Sequence, residues 1–151
     1  MSSFHQVKIL PYNPKDLFDL VMDVEAYPQF IPWCIAAKII KSDPGVTVAE
    51  LTIKIKGLLD KYQSRIIPEI SNEQSYCIEV EAISGPFKYL NNSWKFLQED
   101  TGTRVEFFID FRMKFSLLDK LVSLFFTEAT KEMINAFEKR AQKLLTKTIN
   151  S

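Results

Sequence analysis

Alternation of apolar and polar residues, followed by one long helical repeat, limits what this chain can fold into. Ala49, Leu51, Ile53 and Ile55 take alternate positions, and so do Val105, Phe107, Ile109, Phe111, Met113 and Phe115. A period of two puts each set on one face of a β-strand. From about Leu117 to about Thr148 the period becomes helical. Leu118, Leu121, Val122, Phe125, Ala129, Met133, Ala136, Phe137, Ala141 and Leu144 follow that spacing with no Gly or Pro among them. A helix of this length spans roughly 45 Å. Charged residues fill the other strand positions, so the sheet is one-sided and the helix must cover its apolar face.

The remaining elements follow from local punctuation. Phe4 to Leu10 reads as a first strand, with Phe4, Gln6, Lys8 and Leu10 on one face, and Pro11 ends it. Asn13 and Pro14 suit the N-cap and first position of a short helix, with Leu17, Phe18 and Val21 as its buried stripe. Asp23 opens a second short helix, bracketed by Pro28 and Pro32. Strands are then expected over 33–42, 46–56, 62–70, 76–82, 87–97 and 103–115. Between them lie turns at Asp43-Pro44-Gly45, Gly57 to Lys61, Ser71 to Gln74, Ser84-Gly85-Pro86 and Glu99 to Gly102. Short spacings favour antiparallel neighbours. Ser116 and Asp119 read as a capping box for the long helix.

Composition excludes more than it assigns. The 151 residues suffice for one domain with one core, and 12 Phe favour a thick apolar interior. Nineteen basic residues balance nineteen acidic ones, which argues against a long nucleic-acid groove and against DNA as a partner. Cys34 and Cys77 lack metal-ligand spacing, and His5 is the single histidine, so no metal site is expected. Both thiols read as reduced and near the core, in a reducing compartment. No secretion signal or apolar run of bilayer length is visible, so a cytoplasmic chain is expected, at most peripheral at the inner membrane. No catalytic residue is assigned, and the four glycines form no phosphate-cradling loop. Glu50, Arg65, Glu79, Glu81, Glu106, Asp110 and Arg112 read as outer-face charges.

Three segments carry a family resemblance: Leu-Phe-Asp-Leu-Val-Met-Asp-Val-Glu-Ala-Tyr-Pro-Gln-Phe-Ile-Pro-Trp-Cys (17–34), Gly-Pro-Phe-Lys-Tyr-Leu-Asn-Asn-Ser-Trp-Lys-Phe (85–96) and Met-Ile-Asn-Ala-Phe-Glu-Lys-Arg-Ala (133–141). Together with the element order, they resemble START-like proteins of the polyketide cyclase/dehydrase and lipid transport superfamily. Within it the chain is similar to the coenzyme Q-binding family, whose bacterial members are described as ribosome-association toxins. The resemblance implies a single α+β domain over 1–151 with the helix-grip fold. In that fold a curved antiparallel sheet of about seven strands wraps on the C-terminal helix, and two short helices follow the first strand.

It also implies a tunnel between sheet and helix for a lipophilic molecule, ubiquinone by resemblance, with no further cofactor. The expected lining is Trp33, Leu51, Ile53, Tyr62, Ser64, Tyr76, Ile78 and Trp94, then Val105, Phe107 and Ile109, and from the helix Leu121, Phe125, Ala129, Met133 and Phe137. Tyr62, Ser64, Tyr76 and Asn92 could hydrogen-bond a ring. The start of the helix is apolar on nearly all sides and needs a second apolar neighbour. The short helices, a dimer partner or a membrane surface would serve. On the last reading Leu117, Leu124 and Phe126 meet the membrane and Lys114 and Lys120 meet headgroups. A ribosomal subunit is the alternative partner, through Lys54, Lys56, Lys61, Arg65, Lys139, Arg140, Lys143 and Lys147. Cyclisation of a polyketide ranks last, because the inward positions are nearly all apolar.

Overall fold

The computed structural model describes residues 2–148. Strand β1 (Ser2–Leu10) leads to helix α1 (Pro14–Met22) and a 3₁₀ helix (Val24–Gln29). Strands β2 (Cys34–Asp43), β3 (Val46–Ile55), β4 (Leu58–Asn72), β5 (Ser75–Ala82), β6 (Phe87–Glu99) and β7 (Gly102–Met113) follow, then helix α2 (Ser116–Leu144). The seven strands form one sheet in the order β1-β7-β6-β5-β4-β3-β2. All neighbours are antiparallel. Register shifts in β2, at the β4–β5 end and near the start of β6 mark bulges, which bend a sheet and increase its twist. No helix among the described residues is long and apolar enough to cross a membrane.

Several local expectations need correction. The Asn13 side chain makes no cap bond, and α1 starts instead on Pro14 at its first position. The second short helix is 3₁₀ rather than α, with Pro28 inside it. Strand β4 begins at Leu58, not Tyr62, because the preceding turn needs only Lys56 and Gly57. Their φ angles of 50° and 84° give the left-handed pair that suits a two-residue hairpin. Strand β7 stops at Met113, and Phe115 becomes the N-cap residue of α2, 70% exposed. The capping box does not form around Ser116. The Asp119 carboxylate instead accepts the Met113 N–H at 2.9 Å, tying the helix start to the strand before it. Helix α2 ends at Leu144, and the segment after it folds back so that Thr148 N–H reaches the Pro11 carbonyl at 2.9 Å.

The core falls into two parts. The larger joins Leu17, Phe18 and Val21 of α1 to Tyr76, Trp94, Phe96, Val105 and Phe107 of the sheet and to Ile134, Phe137 and Ala141 of α2. The smaller joins Leu90, Phe111 and Met113 to Phe126 near the start of α2. The fully buried row of α2 is Phe126, Thr130, Ile134, Phe137 and Ala141. This is rotated from the sequence-derived stripe, in which Leu121 and Leu144 are in fact exposed. Two polar contacts fix that rotation against β1. Ser2 Oγ lies 2.6 Å from Ser123 Oγ, and Lys8 forms an ion pair with Glu138. On the outer face Arg65 and Glu81, register partners on β4 and β5, form an ion pair.

Buried Thr103 donates its hydroxyl to the Tyr12 carbonyl at 2.6 Å, joining the start of β7 to the loop before α1. Thr103→Val keeps the shape but leaves that carbonyl without its partner. It should cost about 1–3 kcal/mol, read from the urea midpoint. Both cysteines are free. Burial pushes the Cys34 thiol from 9.0 up to about 11. The folded state therefore holds this proton to higher pH than the unfolded chain does. Its contribution to stability is complete below about pH 9 and is lost as pH rises toward 11. Denaturation midpoints across that interval should fall in the wild-type chain, and the fall should be smaller in Cys34→Ala.

Candidate ligand-binding cavity

Between the two parts of the core the helix does not touch the sheet, and a cavity of about 350 Å³ remains. The sequence explains the gap. Phe125 and Phe126 are bulky on one side of it, Met133, Ile134 and Phe137 on the other, and only Ala129 and Thr130 lie between. The sheet wall is apolar because inward positions alternate along each strand. Ala49, Leu51, Ile53 and Ile55 come from β3, Ile78 and Val80 from β5, and Phe107, Ile109, Phe111 and Met113 from β7.

One end is closed by aromatic side chains. Tyr27, Phe30 and Phe137 meet edge to face, with centroids 5.1–6.0 Å apart. Trp94 packs on Phe137 at 5.2 Å and on Phe107 at 4.7 Å. Tyr27 donates its hydroxyl to the Val21 carbonyl, and burial raises its pKa well above the usual phenol value. Trp33 Nε1 donates to the Ala129 carbonyl at 3.2 Å, pinning the middle of α2 to the corner before β2. The other end meets the surface between the β3–β4 hairpin, the loop at Pro86 and the first turns of α2. There the Lys56 ammonium sits 5.4 Å from the centre of the Phe125 ring. Gly85 lets the Pro86 loop approach, since a Cβ there would lie 2.5 Å from Tyr62 Cβ. Phe87 then meets Tyr62 edge-on at 5.0 Å.

The cavity wall carries few polar groups. Ser64 is 2% exposed, and its Oγ has no hydrogen-bond partner among the described residues. The Tyr62 phenol is close enough for Ser64 to favour its ionised form slightly, but no bond of ordinary geometry joins the two. Burial dominates and raises the Tyr62 pKa, so this group is a neutral phenol at ordinary pH. Asn92 Nδ2 donates to the Phe108 carbonyl at 2.8 Å. Asp60 and Lys56 stand at the hairpin end, and buried Thr130 faces from the helix. Among the described residues no three His, Cys, Asp or Glu side chains gather as a metal site.

Most of the expected lining converges here: Trp33, Leu51, Ile53, Tyr62, Ser64, Ile78, Trp94, Phe107 and Ile109 from the sheet side, and Leu121, Phe125, Ala129, Met133 and Phe137 from α2. Tyr76 and Val105 do not reach it. Both point inward but lie at the end of the sheet that α1 covers, where Tyr76 packs on Phe18 at 5.0 Å and Val105 borders a much smaller void. Phe126 is not a surface residue. It is 8% exposed and meets Phe111 at 4.7 Å. Leu117 and Leu124 are exposed, at 82% and 76%. Sequence reading passed over Asp60, which alternates with Tyr62 and Ser64 once β4 is extended to Leu58. The sequence gives no lining role to Val24 and Ile31 either, since their aperiodic segment offers no face to read, while Tyr27, which the resemblance places at a corner near a cavity opening, lines the cavity.

Residues 10–138 match the family described as polyketide cyclase / dehydrase and lipid transport. The ribosome association toxin RatA of Rickettsia prowazekii is 52% identical over 145 residues, covering 96% of this chain and 99% of that one. The coenzyme Q-binding protein COQ10 homolog B of Xenopus laevis, a mitochondrial protein, is 31% identical over 147 residues, covering 93% of this chain and 58% of that one. A START superfamily protein from Mycobacterium smegmatis superposes with a TM-score of 0.79 at 17% identity, over 94% of this chain and 98% of that one. The sheet and the gripped helix thus have the fold of that START superfamily structure, and the chain belongs to the family described as polyketide cyclase / dehydrase and lipid transport.

Proposed function

We propose that the chain is a carrier for a polyprenyl quinone, ubiquinone in particular, and supports respiration by moving that lipid without covalent chemistry. The observation that carries this reading is an apolar cavity with a small polar set on one wall. Hydrocarbon enters such a space without directional contacts, while the carbonyl and methoxy oxygens of a quinone ring need donors. Ser64 Oγ, a buried hydroxyl without a protein partner, is suited to that, with the Tyr62 phenol nearby. At about 350 Å³ the cavity is near the lower end of ligand pockets, roughly 300–1,000 Å³. It suits a ring and the first isoprene units, and a longer tail would leave through the mouth. The name of the Xenopus relative supports the same ligand class.

A second reading rests on the Rickettsia relative, whose name assigns it to ribosome association. On that reading the chain binds a ribosomal subunit through exposed cations such as Lys54 and Lys61 on the hairpin or Lys139 and Lys143 on α2. Arg65 and Arg140 are already engaged, with Glu81 and with Gln29 and Phe30. Such binding should appear as comigration with subunits in a sucrose gradient and should disappear as salt rises. Polyketide cyclisation stays third, because few polar groups in the cavity could orient a poly-ketone chain.

Mass spectrometry of an organic extract, from protein purified out of a ubiquinone-making host, tests the carrier reading directly. A near-stoichiometric quinone is expected, and a folded protein without it would remove the reading. Ala129→Phe fills the middle of the cavity while keeping the backbone carbonyl that Trp33 uses. It should lower quinone content at least about tenfold without lowering the melting temperature of the empty protein. Ser64→Ala should weaken binding about five- to tenfold if its hydroxyl serves the ring. The same change should leave the empty protein as stable or more so, since no bond within the protein is lost.

A further inference from the structure

Ser64 on β4 and Asn92 on β6 both line the cavity, and β5 runs between them. Register fixes their relative places. Ser64 lies opposite Ala82 and Asn92 opposite Val80, and those two partners are successive inward residues of β5. Neighbouring strands are about 4.8 Å apart and one inward step along a strand is about 7 Å, which puts the two backbones roughly 12 Å apart on the diagonal. The wall between them is low, because Val80 and Ala82 are short. Resting on the carrier reading above, we propose that Ser64 and Asn92 form a two-point seat for a ring with oxygens at opposite corners, laid across β5, and that the seat holds quinone and hydroquinone equally well.

The span suits such a ring. Two oxygens para to one another, each making one hydrogen bond, need partners roughly 10 Å apart. Side chains on the inner face of a curved sheet converge, which brings the polar atoms closer together than the backbones. Oxygens on adjacent ring carbons would reach only one of the two residues. Both residues also have capacity to spare. Ser64 is 2% exposed and its Oγ has no partner among the described residues, so the cost of burying it is recovered only when a ligand bonds it. Asn92 commits one Nδ2 hydrogen to the Phe108 carbonyl, which orients the amide and leaves its second hydrogen and Oδ1.

The chemistry of this pair is symmetrical between redox forms. A hydroxyl and a primary amide can each donate or accept. Facing a quinone, both donate to its carbonyl oxygens. Facing a hydroquinone, both accept from its hydroxyls. A lysine in either place would only donate, and a carboxylate would only accept. The charged residues on the cavity wall, Lys56 and Asp60, stand instead at the hairpin end, with Asp60 two inward steps along β4 from Ser64.

Anaerobic titration of the full chain, followed by tryptophan emission, tests the seat. The probes share a two-isoprene tail: ubiquinone, its hydroquinone, and the matched phenol that lacks one para oxygen. Dissociation constants for the first two should agree within about threefold, and the phenol should bind about tenfold more weakly. Asn92→Leu should bring the hydroquinone to the level of the phenol and leave the phenol within about threefold of its wild-type value. Equal weakening of all the probes would mark a structural loss and overturn the role of Asn92. The phenol and hydroquinone are compared on the wild-type chain, so the seat is decided even where Asn92→Leu does not fold. An unchanged affinity on losing the oxygen would overturn the proposal and leave the carrier reading standing. So would a gap above about tenfold between quinone and hydroquinone. No binding by any probe, together with an empty organic extract, would remove the carrier reading and the seat with it.

Discussion

Everything distinctive in this molecule depends on where α2 is held and where it is not. A helix laid across a curved sheet can close down on it only if side chains of matching size fill the space between. Here the two ends of the contact are filled, by Phe126 against Phe111 and by Phe137 against Trp94. Ala129 and Thr130 sit over the middle and are too short to reach the opposite wall. The helix therefore bridges two supports. Native interiors are packed like organic crystals and seldom leave apolar gaps larger than a water molecule. A gap kept open by two aromatic supports is a property of the sequence, and every filled position around it contributes to keeping its shape.

The edges of α2 are fixed by polar contacts that complement this packing. Ser123 and Glu138 face Ser2 and Lys8 of β1 on one side. The Trp33 indole reaches the Ala129 carbonyl on the other. Pure apolar packing would leave a long helix free to roll, because hydrophobic burial is not directional. These contacts set one rotation, which turns Phe125, Ala129 and Met133 toward the cavity and Ile134 toward the core. Gly85 does comparable work on the sheet side, bringing Pro86 and Phe87 close to Tyr62, where any side chain would hold them off.

Much of this is legible in the sequence. Period-two alternation gave β3 and β7 their inward faces, and most of the cavity wall follows from it. Alternation fixes a face but not a position along the sheet. Tyr76 and Val105 face inward correctly and still lie beneath α1 rather than on the cavity. The helix was harder. Its first turns are apolar all round, so the spacing picks out no side, and Phe126, an outward residue on the membrane reading, is a support. Rotation came from Ser2, Lys8 and Trp33, which are distant in sequence and carry no pattern linking them to α2. The hairpin at Lys56-Gly57 shows a different limit. Glycine marks a turn, but only the left-handed pair of φ angles shows that two residues suffice and that Asp60 belongs to the strand.

The tryptophans have a practical bearing. The chain contains two, Trp33 and Trp94, and both line the cavity. Its indole emission therefore originates at the walls of the ligand space, with no background from elsewhere in the molecule. Trp33 is also bonded to the helix backbone at the point where the helix is least supported. Its spectrum would register a change in the height of the bridge as readily as a molecule placed beneath it. The chain carries its own optical gauge of occupancy and of helix position, and comparing Trp33→Phe with Trp94→Phe separates the two signals.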